Sequence, residues 1–506
     1  MTYSRRDWLF SGLLSLFVLL LAMGSVTTGV TDWGDDFAGY INEGTAIADG
    51  RFEEQVALNY EQHPTPFTKE TQDHQLVYAW GYPLMQAAVY KLFGFDRINY
   101  SSVIWYKAPL VLSLSLLAGV LYLFYRRRFR PEAAVFLALL FCVSGDLFEA
   151  INELYSDLPF LFVSILVLLL MECYSEDNGN WKVGMVYGVA LWLAHEIRLN
   201  GLTICAVAAI GHILLQGKDM LEKKTLWRNL MPYVVFAVLC IITEHLWLVP
   251  ATSNMSDVGS ATVEEMFQHC QYYWNRIVNY LSCIPGMRID GVGYVAVALC
   301  VLGIIVKGFS REGLHLTLLL IGTLAVVIML PYTQGLRYIY NILPIVLMYV
   351  VYGAQFIIER ARRLFREAKT AETIGRILIY AIAAEMLFFP CAAQMTRDYI
   401  NLTHWGEKDE FDVYTDEAIE AYRFIQADTP EDAVIAFAKP RALYMNTQRR
   451  SFRPGINGHE LTDADYFLYC KLSYGDFPEI SPMAVNGKPV MDNDWFTLIR
   501  LNGSGL

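Results

Sequence analysis

The stretch WLFSGLLSLFVLLLAMGSVTTG, residues 8–29, is followed one residue later by TDWGDDFAGY, residues 31–40. The first stretch is apolar over the length that a helix needs to cross a bilayer. The second carries three carboxylates, Asp32, Asp35 and Asp36. Ionisable groups beside lipid are costly and usually functional, so this junction predicts a membrane protein with a polar site at its surface.

Apolar runs recur along the whole chain. Hydrophobic residues make up 55% of the 506 residues, which is more than a soluble protein of this size accommodates while facing water. A membrane-spanning helix needs about 17 to 25 apolar residues. Such runs predict about eleven spans, at residues 8–29, 103–125, 132–148, 155–173, 182–198, 200–216, 229–249, 291–307, 314–330, 338–358 and 374–393. The chain is therefore predicted to be a polytopic α-helical membrane protein.

Basic residues indicate which ends of these spans face the cytoplasm, because short loops rich in Lys and Arg stay inside. The clusters are Arg5 and Arg6; Arg126, Arg127, Arg128 and Arg130; Lys218, Lys223, Lys224 and Arg228; and Arg360, Arg362, Arg363 and Arg366. If the chain crosses the membrane eleven times, all of these clusters face the cytoplasm when the N-terminus is inside and the C-terminal region is outside.

The segments predicted outside are acidic. Residues 30–80 hold ten Asp and Glu against two Lys and Arg, and residues 394–506 hold eighteen against eleven. The net charge of −12 of the whole chain therefore belongs to its outer surface. An acidic outer surface argues against nucleic acid as a partner.

Two outer segments are too long to be simple connections, and they divide the chain. A membrane module is predicted at residues 1–393, with a first outer loop at about 30–102 that opens with an amphipathic helix lying on the membrane. A small extracytoplasmic α/β domain is predicted at residues 394–506. Its helix is YTDEAIEAYRFIQADT, and its buried strands are AVIAFA and WFTLIRL.

Ionisable residues also lie at the outer ends of several predicted spans. Asp157 opens the fourth span, Arg198 lies at the end of the fifth, and Arg337 precedes the tenth. Further groups at this level are Glu153, His195, Glu196, Glu244 and His245. A lone arginine near lipid usually only snorkels to the interface. Acids and bases gathered at one membrane level instead predict a functional cavity.

The order of short motifs along the chain resembles the GT-C membrane glycosyltransferases. The motifs are an acidic pair in the first outer loop, a G-x-P aromatic segment that closes this loop, SDLPF at the fourth span, R-x-N-G-L at the sixth, and G-L-R-Y-x-Y-x-x-x-P at a late span. The likeness covers nearly the whole chain and is to the branch that contains protein O-mannosyltransferases and the lipid A aminoarabinose transferase. It implies inverting transfer of a sugar from a polyprenyl-phosphate carrier to an extracytoplasmic glycolipid, glycan or protein.

The resemblance also implies which acids act. Asp35 matches the general base of the family's acidic pair, Asp36 matches its partner, and Asp157 matches the acid of the second outer loop. This sequence has Asp-Asp where much of the branch has Asp-Glu, and Asp32 adds a third acid. The choice of base between Asp35 and Asp36 therefore stays open.

Cations near the lipid phosphate are implied in the same way. Arg198 and Arg337 fall where the family places them, Tyr338 follows Arg337, and Lys69 in the first outer loop is a weaker candidate. The chemistry agrees with this assignment, because breaking a sugar–phosphate bond leaves growing negative charge that arginine stabilises. The attacking hydroxyl must lose a proton, which a positioned carboxylate accepts.

This chemistry requires no cofactor, but a divalent metal is an open alternative. Glu244 and His245, with Glu43 or His74, offer the oxygen and nitrogen ligands that zinc accepts, although their spacing is not that of a tight metal motif.

Two other functions compete with the transferase. A secondary transporter would carry its ionisable groups at mid-membrane, whereas the centres of these spans are almost free of charge. A non-catalytic envelope scaffold would have no need for an acid pair at the interface. The small outer domain favours a bacterial inner membrane, with the site facing the periplasm.

Overall fold

The computed structural model describes most of the chain. The described residues are 3–30, 33, 35–62, 78–96, 102–176, 180–217, 226–248, 258–283, 291–333, 335–364, 369–404, 412–455, 460–472 and 485–502. Lys69, Asp32 and His74 lie outside these ranges.

Helices dominate the described residues. They are α1 (Arg5–Gly24), α2 (Asp36–Asp49), α3 (Phe52–Glu61), α4 (Gly81–Phe93), α5 (Val103–Tyr106), α6 (Ala108–Arg126), α7 (Pro131–Cys142), α8 (Gly145–Asn152), α9 (Asp157–Glu176), α10 (Trp181–Ile197), α11 (Gly201–Gln216), α12 (Leu226–Ile241), α13 (Val263–Cys283), α14 (Val292–Gly303), α15 (Leu314–Met329), α16 (Leu343–Leu364), α17 (Lys369–Thr403), α18 (Asp416–Asp428) and α19 (Pro440–Thr447). A π-helical segment, Ile242–Trp247, continues α12, and a 3₁₀ segment, Leu336–Ile342, precedes α16.

Each of the eleven predicted spans contains helix, although α1 ends at Gly24, before the predicted end of the first span. Among the described residues, five helical segments are long and apolar enough to cross a membrane: Arg5–Gly24, Val103–Arg126, Asp157–Glu176, Leu226–Trp247 and Leu336–Ala361. A sixth results if α7 and α8, which meet at 47°, count as one bent span. Shorter apolar helices are α11, Val292–Gly308 and α15. The helices α10 and α17 cover the two remaining predicted spans.

The first helix shows how an apolar sequence serves two environments. Leu14, Val18 and Leu21 of α1 are buried, and their i, i+4, i+7 spacing places them on one face. Leu9, Leu13, Leu16 and Leu20 follow the same spacing on another face and are exposed. One face thus packs against the protein, and the other is apolar because it is suited to lipid.

The first outer loop forms three helices, α2, α3 and α4. The residues of α2 from Phe37 to Ala46 are all buried, so this helix has no solvent-facing side over that stretch. It packs against α4 and against α19 of the C-terminal domain. The expected helix therefore exists, but it lies inside the molecule and not on the surface of the membrane.

The C-terminal domain is a small α/β unit, as the sequence predicts. Its strands are β1 (Val434–Ala436), β2 (Arg450–Phe452), β3 (Tyr466–Cys470), β4 (Gly487–Asp492) and β5 (Phe496–Leu501), in the order β2-β1-β3-β5-β4. The strand β1 pairs in parallel with β2 and β3, and β5 pairs antiparallel with β3 and β4. The predicted helix is α18, and the two predicted strands are β1 and β5.

This domain docks directly on the start of the first outer loop. Trp33 packs edge-on against Phe437, with 6.3 Å between ring centroids, and lies 6.1 Å from the ring of Phe496. The amide of Val413 donates to the carbonyl of Val30 over 3.2 Å. These contacts bring Asp35 and Asp36, at the start of α2, next to α19.

Candidate functional site

The two neighbouring acids of the first loop have different surroundings. Asp35 precedes α2 with a φ of 71°, a left-handed conformation that aspartate tolerates better than most residues. Its side chain points to α19, where Oδ1 accepts from the amide of Ala442 (2.8 Å) and Oδ2 from the amide of Arg441 (3.3 Å). Asp35 thereby caps the first turn of α19 and is only 4% exposed.

The charge of Asp35 is subject to opposing effects. Burial raises the pKa of this carboxyl, while the guanidinium of Arg441 and the amide of Ala442 act to lower it. Both oxygens of Asp35 accept backbone N–H groups. Its geometry is that of a structural acceptor that holds the C-terminal domain to α2.

Asp36 is the first residue of α2, and its carboxylate is accessible. Its side chain is 37% exposed. Oδ1 accepts a hydrogen bond from the hydroxyl of Tyr78 (2.7 Å) and one from Nη1 of Arg441 (3.2 Å). An accessible carboxylate with two fixed donors has the position that a base toward an incoming hydroxyl requires.

Buried groups fix the orientation of Tyr78. Its amide donates to Oε1 of Glu43 (3.1 Å), which also accepts from Nδ2 of Asn59 (2.8 Å). Its hydroxyl accepts from Arg441 while donating to Asp36. Burial raises the pKa of Tyr78 well above its usual value, so the phenol keeps its proton and donates it to Asp36.

Asp157 and Arg198 form the second part of the site. Asp157 begins α9, and Arg198 follows the last residue of α10 in an extended conformation. Nη1 of Arg198 donates to Oδ1 of Asp157. Oδ2 of Asp157 is buried and has no hydrogen-bond partner among the described residues.

Arg337 and Tyr338 complete this part of the site. Arg337 stacks on the ring of Tyr155, with Cζ 4.5 Å from the ring centroid, and Arg198 lies 5.0 Å from the ring of Tyr338. Both arginines are partly exposed. Asp157 and Asp36 are both within electrostatic range of Arg337. Two guanidinium groups thus converge beside two carboxylates at the N-terminal end of α9, the C-terminal end of α10 and the segment before α16.

Aromatic side chains form the wall between the two parts. The ring of Tyr40 lies 4.3 Å from that of Tyr78 and 4.8 Å from that of Tyr82, measured between centroids. Its hydroxyl is 3.1 Å from Oγ of Ser156, next to Asp157. Aromatic faces of this kind provide an apolar surface with polar edges, suited to a ligand that has both.

The structure brings together most of the residues predicted for the site. Asp36, Asp157, Arg198, Arg337 and Tyr338 line one region, and Asp35 is adjacent but directed at α19. Lys69 lies outside the described residues. The sequence analysis missed Arg441 and Tyr78 as site residues. Arg441 lies in α19, a segment without a catalytic motif, and only the packing of α19 on α2 identifies it. Tyr78 lies three residues before the G-x-P segment, and its contact with Asp36 identifies it.

The predicted metal ligands have different surroundings. Glu244 is hydrogen-bonded to Nε2 of His195 over 2.9 Å, whereas the side chain of His245 is exposed. Glu43 is engaged with Tyr78 and Asn59. The metal-ligand pair Glu244 and His245 therefore stays a prediction without a shared geometry.

Comparisons with known proteins identify the fold. No protein-family model and no curated protein sequence matches the chain. ArnT from Cupriavidus metallidurans, in a crystal structure bound to undecaprenyl phosphate, matches with a TM-score of 0.52 at 12% identity, over 99% of this chain and 99% of that chain. The Archaeoglobus fulgidus oligosaccharyltransferase AglB, in complex with an inhibitory peptide and a dolichol-phosphate, matches with a TM-score of 0.51 at 11% identity, over 90% and 69%. A structure of the Archaeoglobus fulgidus oligosaccharyltransferase with Zn and sulfate matches with a TM-score of 0.55 at 11% identity, over 92% and 68%.

At these identities the likeness shows the fold. The chain has the fold of the GT-C membrane proteins and is an integral, multi-pass membrane protein, which confirms the fold predicted from the sequence. The match to ArnT extends through the C-terminal domain, since it covers nearly all of both chains.

Proposed function

We propose that this protein is an inverting glycosyltransferase that moves a sugar from a polyprenyl-phosphate carrier to a hydroxyl group of an extracytoplasmic acceptor. The observation that carries the proposal is the convergence of Asp36 with Arg198 and Arg337 at the ends of apolar helices. A lipid-linked donor presents its phosphate at this level, because its polyprenyl chain remains in the bilayer.

The reaction follows from the groups present. The acceptor oxygen attacks the anomeric carbon of the sugar, and its proton passes to the carboxylate of Asp36. The bond between the anomeric carbon and the phosphate oxygen breaks, and its electron pair leaves with the polyprenyl phosphate. Attack from the side opposite the phosphate inverts the configuration at the anomeric carbon.

Arg198 and Arg337 are suited to the leaving phosphate. Arginine keeps its charge and presents several N–H donors in a plane, which permits two-point contact with phosphate. Hydrogen bonds between charged partners are stronger than neutral ones, and they gain strength as charge develops on the phosphate. Asp157 holds Arg198 in place, and the rings of Tyr155 and Tyr338 support Arg337.

We assign the base to Asp36, although Asp35 matches the general base of the family's acidic pair and the sequence left the choice between the two open. Asp35 is buried and accepts two amides of α19, so an acceptor hydroxyl has no access to it without displacing that helix. Asp36 is more than one-third exposed and faces the arginines. Asp35 is therefore, in this proposal, a structural residue that docks α19 on the start of α2.

Charge distribution supports the location. The arginine clusters of the sequence lie at the ends of the spans opposite to Asp36, which favours an extracytoplasmic site and a cytoplasmic N-terminus. We infer a bacterial inner membrane with the site facing the periplasm. The same orientation suits a lipid-linked donor.

The test is sugar transfer by purified protein in liposomes. The probes are undecaprenyl phosphates carrying a radiolabelled hexose or pentose, with envelope membranes as the source of acceptor. Asp36→Asn keeps the shape but cannot take a proton, so turnover is expected to fall by about 10²- to 10⁴-fold. Asp35→Asn is expected to lower the melting temperature while folded molecules retain turnover, and Asp49→Asn, an exposed acid on α2, is the control.

The possible outcomes distinguish Asp35 from Asp36 as the base, and a transferase from a scaffold. A slower transfer step in Asp35→Asn with normal turnover in Asp36→Asn would make Asp35 the base. If the wild-type protein binds the labelled donor but transfers sugar no faster than Asp36→Asn, the protein is not this transferase, and the scaffold function gains support.

A further inference from the structure

We propose that a divalent transition metal of the zinc type binds between α10 and α12, on His195, Glu196 and Cys240. These three residues are called the α10–α12 cluster. They lie outside the group of acids and arginines assigned to sugar transfer, and this inference does not depend on that function.

The ligand atoms are already close together. One nitrogen of His195, one carboxylate oxygen of Glu196 and Sγ of Cys240 all lie within 4.8 Å of one another. A tetrahedral zinc with bonds of about 2.0 to 2.3 Å holds its ligand atoms roughly 3.5 Å apart. Small side-chain rotations would therefore bring the three atoms onto one ion.

Two buried polar atoms of the α10–α12 cluster lack a hydrogen-bond partner among the described residues. Nδ1 of His195 and Oε2 of Glu196 are buried and make no hydrogen bond among the described residues. The two residues are 8% and 1% exposed. A buried polar atom without a partner is costly. A bound cation would satisfy both atoms at once.

The opposite atom of each ligand is held by a neighbour. Nε2 of His195 lies 2.9 Å from Oε1 of Glu244, and Nε1 of Trp192 donates to Oε1 of Glu196 over 3.1 Å. Metal-binding histidines commonly donate their second ring N–H to a carboxylate, which fixes the tautomer and leaves the other nitrogen for the metal. Glu244 has this role here, so it supports the site without being one of its three ligands.

The helix geometry explains how α12 supplies two of these groups. Cys240 and Glu244 are four residues apart, and the π-helical segment begins between them, at Ile242. A π-helical turn adds a residue to the helical repeat and often marks a functional position. Oε1 of Glu244 lies 2.9 Å from Nε2 of His195, and Sγ of Cys240 lies within 4.8 Å of a ligand atom of His195 and of Glu196.

The donor set indicates the class of metal. A nitrogen, a carboxylate oxygen and a sulfur suit zinc or a similar borderline ion and do not suit Mg²⁺ or Ca²⁺, which prefer oxygen ligands only. Binding replaces the proton of the Cys240 thiol, and a water molecule is left to take the fourth position. Because a proton is released, the affinity falls as the pH falls.

The consequence for the molecule is a link between two helices beside Arg198. Glu196 is two residues before Arg198, and α12 contributes Cys240. A metal held by both helices fixes the end of α10, and thereby the position of this guanidinium. The metal is thus a positioning element outside the group of reacting residues.

The test uses Co²⁺ as the probe on full-length protein in detergent, after treatment with a chelator. Wild-type protein is expected to bind about one Co²⁺ per chain and to show a thiolate-to-cobalt charge-transfer band in the near ultraviolet. Cys240→Ser is expected to abolish this band. Cys300→Ser, a buried cysteine on α14, is the matched control and should keep it.

A second variant avoids dependence on a cysteine change that disturbs folding. Glu244→Gln leaves all three ligands in place but weakens the support of His195, so the Co²⁺ affinity is expected to fall by about 10- to 100-fold with the same band at saturation. The proposal is overturned if wild-type protein shows no band, if Cys240→Ser retains it, or if Cys300→Ser loses it equally. None of these readouts involves sugar transfer.

Discussion

At the scale of single residues, the backbone of Asp35 separates two acids that are adjacent in sequence. Its left-handed conformation turns one carboxylate toward α19, and the next residue, Asp36, starts α2 with its carboxylate toward the arginines. Two identical side chains thereby have different surroundings, and in the proposed function only Asp36 takes part in the chemistry.

The pKa of Glu43 predicts how stability depends on pH. Burial raises the pKa of this carboxyl from 4.5 to about 8, against the hydrogen bonds from Tyr78 and Asn59. Between these two values the folded protein binds a proton that the unfolded chain has released. The linkage relation then makes the free energy of unfolding fall as the pH rises from about 4.5 to about 8.

Glu43→Gln tests this prediction. The amide keeps an oxygen for both donors and cannot ionise, so the variant should lose this fall in stability and should exceed the wild type in melting temperature at pH 8. The measurement is thermal unfolding in detergent between pH 5 and pH 9. Glu53→Gln, an exposed carboxyl on α3, should follow the wild-type curve. An unchanged slope in Glu43→Gln would show that other groups govern the pH dependence.

Arg337 carries a prediction about donor recognition. Lysine keeps the charge but lacks the planar group that stacks on Tyr155 and contacts phosphate at two points. Arg337→Lys should therefore raise the KM for the polyprenyl-phosphate sugar while retaining part of the turnover, and Arg337→Ala should do more harm. Arg360→Lys, at the far end of α16 and stacked on Phe356, is the control. Normal kinetics in both Arg337 variants would leave this residue a structural role.

At the scale of elements, a buried lysine connects the C-terminal ends of α1 and α8 to the start of α6. Nζ of Lys107, at the start of α6, donates to the carbonyls of Thr27 (2.8 Å) and Gly29 (2.6 Å) after α1, and to Oδ1 of Asn152 (2.9 Å) at the end of α8. The chain at Gly29 also runs so close to Asp412 that an added Cβ would lie 1.5 Å from its Oδ2. This junction fixes the segment that leads to Asp35.

Lys107→Met should therefore destabilise the fold. The thioether fills the space of the stem but leaves the carbonyls of Thr27 and Gly29 without this donor, and a buried acceptor left without a partner typically costs about 1 to 3 kcal/mol. A marked drop in the melting temperature is expected, with Lys91→Met, an exposed lysine on α4, unchanged. A melting temperature equal to that of the wild type would mean that water replaces the ammonium group at no cost.

At the scale of the whole molecule, periodicity and apolar length were sufficient to predict the helical spans and the two strands named in the C-terminal domain. The site residues at span ends were predictable too, because Asp157, Arg198 and Arg337 each adjoin an apolar run at the same level. The burial of α2 was not predictable, because it depends on a domain that begins after α17.

The position of Arg441 beside Asp36 could not be predicted from the sequence either. Its contact with Asp36 joins positions 405 residues apart, and nothing in the sequence PRALYMNT distinguishes a helix that packs on α2 from any other surface helix. The different surroundings of Asp35 and Asp36 could not be predicted for the same reason. They depend on which of the two acids faces α19, and the local sequence does not indicate this.

The contact between α19 and the start of α2 can form only late in the synthesis of the chain. Asp35 leaves the ribosome 406 residues before Arg441, which corresponds to roughly 20 to 80 s at ordinary rates of elongation of about 5 to 20 residues per second. During that interval the nascent chain has inserted its first helices, but its acid pair still lacks the cap and the guanidinium that orient it. A stalled or prematurely terminated chain would keep these carboxylates uncovered, which distinguishes it from the finished protein for quality-control proteases. The proposed activity therefore requires that the chain be synthesised through α19.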